Sequence, residues 1–147
     1  MKNIVFTLVL AMISSIATAQ TDLSQLKQND KKEYLERLSM EMIKEMAPDY
    51  ADGKISQISG PIEFTKETGK DICEDEEYAI KYIGKKYYSV DYTTKYEHMG
   101  MEMVGHIIVR IWEHNGEPAW IYFGTSEGMT LHFFRVSYED FIKQQPK

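Results

Sequence analysis

The hydrophobic pattern of the chain changes its period once, between Pro48 and Gly53. Before that point, four apolar residues recur at helical spacings of three or four positions: Leu35, Leu38, Met42 and Met46. This spacing places them on one side of a helix, and Pro48 ends the run because a proline disfavours helical backbone at the preceding residue. We therefore predict one helix over residues 31–47, with Asp30 and Glu33 forming a capping box at its start.

After Gly53 the chain contains short runs of β-type residues separated by glycine, proline and acidic clusters. In the clearest run, residues 87–94, apolar and polar side chains alternate, as in a strand with one buried face. The other candidate strands are residues 62–64, 106–113, 119–123 and 129–136, and residues 78–83 fit either a strand or a helix. A short C-terminal helix carrying Phe141 and Ile142 is expected to follow Ser137.

This order of elements predicts the α+β class, with an N-terminal helix packed on a curved antiparallel meander sheet of about four strands. The order is similar to that of cystatin-like and nuclear-transport-factor-like folds. The likeness concerns the order of elements and implies no function.

The first 19 residues have the form of a signal peptide, and residues 20–147 are predicted to be a single α+β domain. Lys2 gives a positive start, residues 4–13 are largely apolar, and Ala17 and Ala19 form an A-x-A cleavage site. The apolar run is too short to cross a bilayer. We therefore expect an exported protein, periplasmic or secreted, with no stable membrane span and an oligomeric state that the sequence leaves open.

Net charge and cysteine content argue against several classes of function. The formal net charge is −6, and an acidic chain without a basic cluster argues against nucleic-acid binding. Cys73 is the only cysteine, so no internal disulfide can form. The acidic residues around Cys73 disfavour a reactive thiolate.

A hairpin is predicted at Asn115-Gly116, since this dipeptide is the strongest short-range signal for a two-residue turn with positive φ at both positions. That turn sets a register in which Arg110 faces Ile121 and Ile108 faces Phe123. One face of the hairpin is then almost wholly apolar and is expected to lie under the helix, and it carries Ile107, Val109, Ile111, Pro118, Trp120 and Tyr122.

The opposite, mixed face is the predicted binding surface. We expect a ligand or protein partner to contact a set that combines arginine and aromatic residues, as binding hot spots do: Asp91, His106, Arg110, Trp112 and Phe123. The alternative is that residues 53–77 or the terminal helix cover this face, with Arg110 paired to Asp91.

A second hypothesis is an extracytoplasmic copper site. Thioether sulfurs suit Cu(I), and an extended segment would place three of them on one side, next to His98. The residues of this alternative are His98, Met99, Met101 and Met103. The leading prediction includes no metal and no cofactor.

The sequence offers little support for catalysis. Residues 124–128 match G-x-S-x-G, but they lie between two predicted strands and not in the strand–turn–helix context that exposes a nucleophile. The acidic residues 74–77 lack the spacing of a calcium loop. We therefore predict a small exported, non-catalytic binding or interaction protein, with copper binding as the first alternative and a hydrolase of extracytoplasmic polymers as the weaker one.

Overall fold

The structure, a computed structural model, describes residues 20–68, 80–127 and 130–137, without the side chains of Asp49, Tyr96, His98, Phe123 and residues 125–137. The chain forms one long helix, α1 (Gln28–Met46), followed by β1 (Lys54–Glu63), β2 (Lys86–His98), β3 (Met101–Trp112), β4 (Pro118–Glu127) and β5 (Thr130–Ser137). Single 3₁₀ turns at Leu23–Gln25 and Pro48–Tyr50 flank α1. The strands form one antiparallel sheet in chain order.

A helix packed on an antiparallel sheet confirms the α+β prediction, with five strands where about four were expected. β1 begins at Lys54 and is much longer than the predicted strand at residues 62–64. Of the two interpretations left open for residues 78–83, the described part shows the helical one, because residues 80–82 form a helical turn. The predicted C-terminal helix lies outside the described residues.

Helix α1 begins three residues earlier than predicted, at Gln28, and Lys27 caps it without a side-chain hydrogen bond. The predicted capping box is therefore wrong. Asp30 instead lies within the first turn, where its charge interacts favourably with the positive end of the helix dipole. The predicted stripe is the buried side, because Leu35 and Met42 are both nearly inaccessible to solvent.

The main hydrophobic core lies between α1 and one face of the sheet, which we call the helix face. Alternation along β2 and β3 supplies its side chains, since successive residues of a strand point to opposite faces. The strand residues buried there are Tyr88, Val90, Tyr92, Ile107, Val109, Ile111 and Ile121. The apolar face predicted for β3 is thus the face that packs under the helix.

A second, aromatic core lies on the opposite face of the sheet, at the end where β3 stops. Phe64, which follows β1, and Tyr82, in the turn before β2, both fold over this end and are buried. The backbone of Phe64 bonds to Lys85 and Gly84, which holds the connection in place. We call this group the aromatic cluster: Phe64, Tyr82, Tyr87, Trp112, Ala119 and Trp120.

The connection between β3 and β4 differs from the predicted two-residue turn. Trp112 accepts from the backbone N–H of Gly116 and donates its own to Glu117, so four residues lie between the bonded pair. Only Gly116 of the predicted turn dipeptide has a positive φ, at 67°. The side chain of Asn115 instead accepts from the N–H of Glu117 and donates to the carboxylate of that residue.

A register shift next to Ala119 then changes which face each β4 residue occupies. Ile111 pairs with Pro118, and Arg110 pairs with Trp120 and not with Ile121 as predicted. Because one inserted residue moves every later side chain to the other face, Trp120 and Tyr122 lie on the same face as Arg110. Ile121 lies on the helix face.

Candidate functional site

Four of the five predicted binding residues lie on one face of the sheet, opposite α1. Asp91 pairs with Ile108, and the next β3 residue on that face, Arg110, pairs with Ser89. His106 and Trp112 occupy the same alternating series along β3. We call this surface the second face. The fifth residue, Phe123, pairs with Ile107 and not with Ile108, and its side chain is outside the described part.

Trp112 belongs to the interior and not to an open surface. Its side chain is only 3% exposed, and Tyr82 stacks on it with ring centroids 4.5 Å apart. Phe64 and Trp120 approach it edge-on at 5.7 and 5.2 Å. Phe64, which lies within residues 53–77, and Tyr82 therefore cover the end of this face that carries Trp112.

Arg110 lies at the boundary of the aromatic cluster and is half-buried. Its guanidinium carbon is 5.0 Å from the ring centroid of Tyr87 and 5.6 Å from that of Tyr122. Both distances are within the range of a cation–π interaction. The cation is therefore held by two aromatic rings on the second face.

The arginine has no acidic partner among the described residues. Its Nε is buried and lacks a hydrogen-bond acceptor there, and the described ion pairs do not include it. Asp91 accepts a hydrogen bond from Ser89 Oγ at 2.9 Å. The alternative's ion pair between Arg110 and Asp91 is therefore not among the described contacts: Arg110 packs against two tyrosine rings, and Asp91 accepts from Ser89.

Tyr122 is the site residue that the sequence analysis missed. The indole N–H of Trp120 donates to its hydroxyl oxygen over 2.7 Å, and Trp120 is itself 2% exposed. A buried tryptophan therefore fixes the ring that lies against Arg110. The signal that could have found Tyr122 is Pro118, because a proline cannot donate to a ladder and often accompanies an irregular strand start.

The side chains of His114 and Lys85 lie close together at the end of the second face, beside the β3–β4 turn. The Nε2 atom of His114 is 3.3 Å from the ammonium of Lys85, and its ring is 6.0 Å from that of Trp112. Partial burial lowers the pKa of His114 below its usual 6.5, and the charge of Lys85 acts in the same direction. Neutral imidazole is therefore favoured beside the aromatic cluster.

A cleft of about 460 Å³ lies on the other side of the molecule, between α1 and the edge strand β1. Its main cation, Lys31, donates to the hydroxyl of Tyr88 at 3.2 Å, and Tyr88 in turn donates to Glu113. Two register irregularities interrupt β1, and such bulges blunt an edge against strand addition. The cleft contains none of the predicted site residues.

The described residues contain no group of three or more His, Cys, Asp or Glu side chains placed to hold a metal ion. Within the same ranges, no helix is long and apolar enough to cross a membrane. Comparison of the chain with protein-family models, with curated proteins and with solved structures finds no match.

Proposed function

We propose that this chain is a small exported, non-catalytic binding protein whose second face receives an anionic group of a ligand or partner at Arg110. The observation that carries the proposal is a half-buried guanidinium held between Tyr87 and Tyr122. Its Nε has no acceptor within the described residues. Asp91 and His106 extend the same face toward the other end of β3.

The chemistry of arginine identifies the class of ligand. Guanidinium presents a planar fork of donors that matches the two oxygens of a carboxylate or phosphate. Burial of its Nε without an acceptor costs free energy. The flanking rings restrict the side chain before binding, which reduces the entropy lost on association.

Asp91 adds a second kind of contact. Its carboxylate accepts from Ser89, and a carboxylate has further acceptor positions. A ligand with both an anionic group and a donor, such as a hydroxyl or an ammonium, would match both residues. The chain's net charge of −6 does not prevent this, because its long-range field is screened beyond about 8–10 Å at physiological ionic strength.

The proposal also includes export of the protein and the similarity of its element order to two known fold types. The apolar N-terminal run and A-x-A site support cleavage near Ala19. The helix followed by a meander sheet is similar in element order to cystatin-like and nuclear-transport-factor-like folds. Mass spectrometry of the protein recovered from a double-membraned bacterium, by compartment, tests the cleavage and the location.

The binding proposal is tested by thermal unfolding with inorganic phosphate, citrate and a polyglutamate peptide as probes. A probe at a hundredfold excess over its Kd adds about 2.7 kcal/mol to the free energy of unfolding. We expect at least one probe to raise the Tm of the unaltered protein. Arg110→Met should abolish that shift.

Lys54→Met is the matched control, since Lys54 is an exposed cation on β1, at the far edge of the sheet. It should keep the full shift. If Arg110→Met and the unaltered protein respond equally to the probe, Arg110 does not receive the anion and the proposal is wrong.

A further inference from the structure

The β2–β3 hairpin extends beyond the rest of the sheet and ends in exposed methionines. β1 pairs with β2 only as far as Thr93, and β4 pairs with β3 only from Gly105. Residues 95–104, which we call the distal hairpin, pair with each other across β2 and β3. Met99 is 86% exposed and Met101 58% exposed.

Met99 occupies a backbone position that disfavours its side chain. Its φ is 52°, and it is the non-glycine residue with positive φ in the described chain. With Gly100 at 77°, it forms a two-residue turn of the kind that prefers Asn-Gly. Left-handed backbone costs a residue with a Cβ roughly 1–2 kcal/mol, and an exposed methionine recovers nothing by burial. Such local conflicts concentrate at functional sites.

The register of the hairpin brings further soft ligands to the same end. Met101 and Met103 are separated by two positions on β3 and therefore share a face. The Cα of His98 pairs directly with that of Met101 across the hairpin. The sequence pattern predicts all three methionines on one extended face, but Met99 instead lies in the turn that connects β2 and β3.

We propose that the distal hairpin binds one Cu(I) ion through the sulfurs of Met99, Met101 and Met103. Thioether sulfur is a soft donor that selects Cu(I) over harder ions. Flexible methionine side chains can converge from a turn and a strand.

Charge around the tip favours a cation. Glu97 and Glu102 are directly opposed across the hairpin, on the face away from Met101. Lys95 forms an ion pair with Glu102, and Glu97 has no ion-pair partner among the described residues. The hairpin's net negative charge attracts Cu(I) and opposes insertion of the exposed methionines into an anionic membrane.

The site is independent of the proposed anion site. Arg110 lies nine positions from Met101 along β3, which at about 3.3 Å per residue separates them by roughly 30 Å. Loss of one activity therefore leaves the other measurable.

The test is an anaerobic titration with Cu(I), held reduced by ascorbate and competed against a chromogenic Cu(I) chelator. We expect one Cu(I) per chain for the unaltered protein. Loss of a residue that only supports a metal ligand lowers metal affinity about 10–100-fold. Loss of two ligands should cost at least as much, so the M101L/M103L double variant should bind Cu(I) more than tenfold more weakly. Leucine keeps the apolar surface and removes only the sulfur, so a purely hydrophobic role would survive this change.

The matched control is the M40L/M46L double variant, which makes the same chemical change at two half-buried positions of α1. It should bind Cu(I) like the unaltered protein. Met99→Asn supplies a second readout: the preferred turn residue should raise the Tm while Cu(I) affinity falls. If M101L/M103L and M40L/M46L compete equally well for Cu(I), or if no variant binds it, the copper site is excluded.

Discussion

The ring of Tyr82 stacks on the indole of Trp112, with centroids 4.5 Å apart and planes inclined by only 8°. Tyr82 reaches this position from the connection between β1 and β2, whereas Trp112 ends β3. This contact covers one end of the second face and leaves the rest of that face outside the aromatic cluster. One end is an aromatic core, and Arg110 lies where that core meets the remainder of the face.

Trp112→Ala is expected to destabilise the protein strongly, because it removes the centre of the aromatic cluster. Large-to-small substitutions of buried aromatic residues cost about 3–5 kcal/mol. Urea unfolding of Trp112→Ala, Tyr82→Ala and the double variant measures the coupling of the stacked pair, expected at about 0.5–1.5 kcal/mol beyond area burial. Additive single-variant effects would contradict the stack.

Arg110→Met should leave the free energy of unfolding within about 1 kcal/mol of the unaltered value, since a half-exposed cation–π pair contributes only about 0.5–1 kcal/mol. Methionine also removes the cost of a buried Nε without an acceptor. Urea unfolding checks this without any ligand. A loss of several kcal/mol would mean that Arg110 is a structural residue.

Gly116 and Gly100 both have positive φ, 67° and 77°, and form a matched pair for substitution by alanine. Each variant should lose roughly 1 kcal/mol from left-handed backbone. At Gly116 a Cβ would also lie 2.8 Å from the carbonyl oxygen of Thr21, whereas Gly100 is open. Gly116→Ala should therefore lower the Tm more than Gly100→Ala, and equal losses would show that Thr21 and Tyr34 both move away freely.

The free energy of unfolding should fall as the pH drops below about 6.5, in part because of His114. Its pKa is lowered in the folded state, so the unfolded chain binds the proton first and protonation favours unfolding. The contribution of neutral His114 to the free energy of unfolding is fully present above pH 6.5 and is lost as the pH falls through the folded-state pKa of this residue. His114→Asn should show a shallower decline between pH 7 and 5 in denaturant titrations.

NMR titration of the His114 ring gives the direct check on this mechanism. Lys85→Met removes the nearby ammonium and should raise the pKa of His114 toward its ordinary value. An unchanged titration curve in that variant would assign the lowered pKa wholly to burial.

Local patterns were sufficient for the helix and for much of the sheet. The spacing of Leu35 and Met42 identified the buried side of α1, and alternation in β2 and β3 identified the helix face, because both depend on backbone periods of 3.6 and 2 residues. The same alternation placed Asp91, His106 and Arg110 together on the second face. These relations require no knowledge of distant partners.

The remaining features depend on contacts between segments far apart in the chain. Because of the register shift beside Ala119, Tyr122 lies on the same face as Arg110, and Phe123 pairs with Ile107. The hydrophobic pattern of a short apolar strand does not reveal a shift of one residue. Likewise, only the packing of Phe64 and Tyr82 over β3 made Trp112 an interior residue. The sequence by itself determined which residues share a strand face, because side-chain alternation is a property of the local backbone. Only the tertiary structure decided which part of that face is buried, because burial depends on where the connections between strands pack against the sheet.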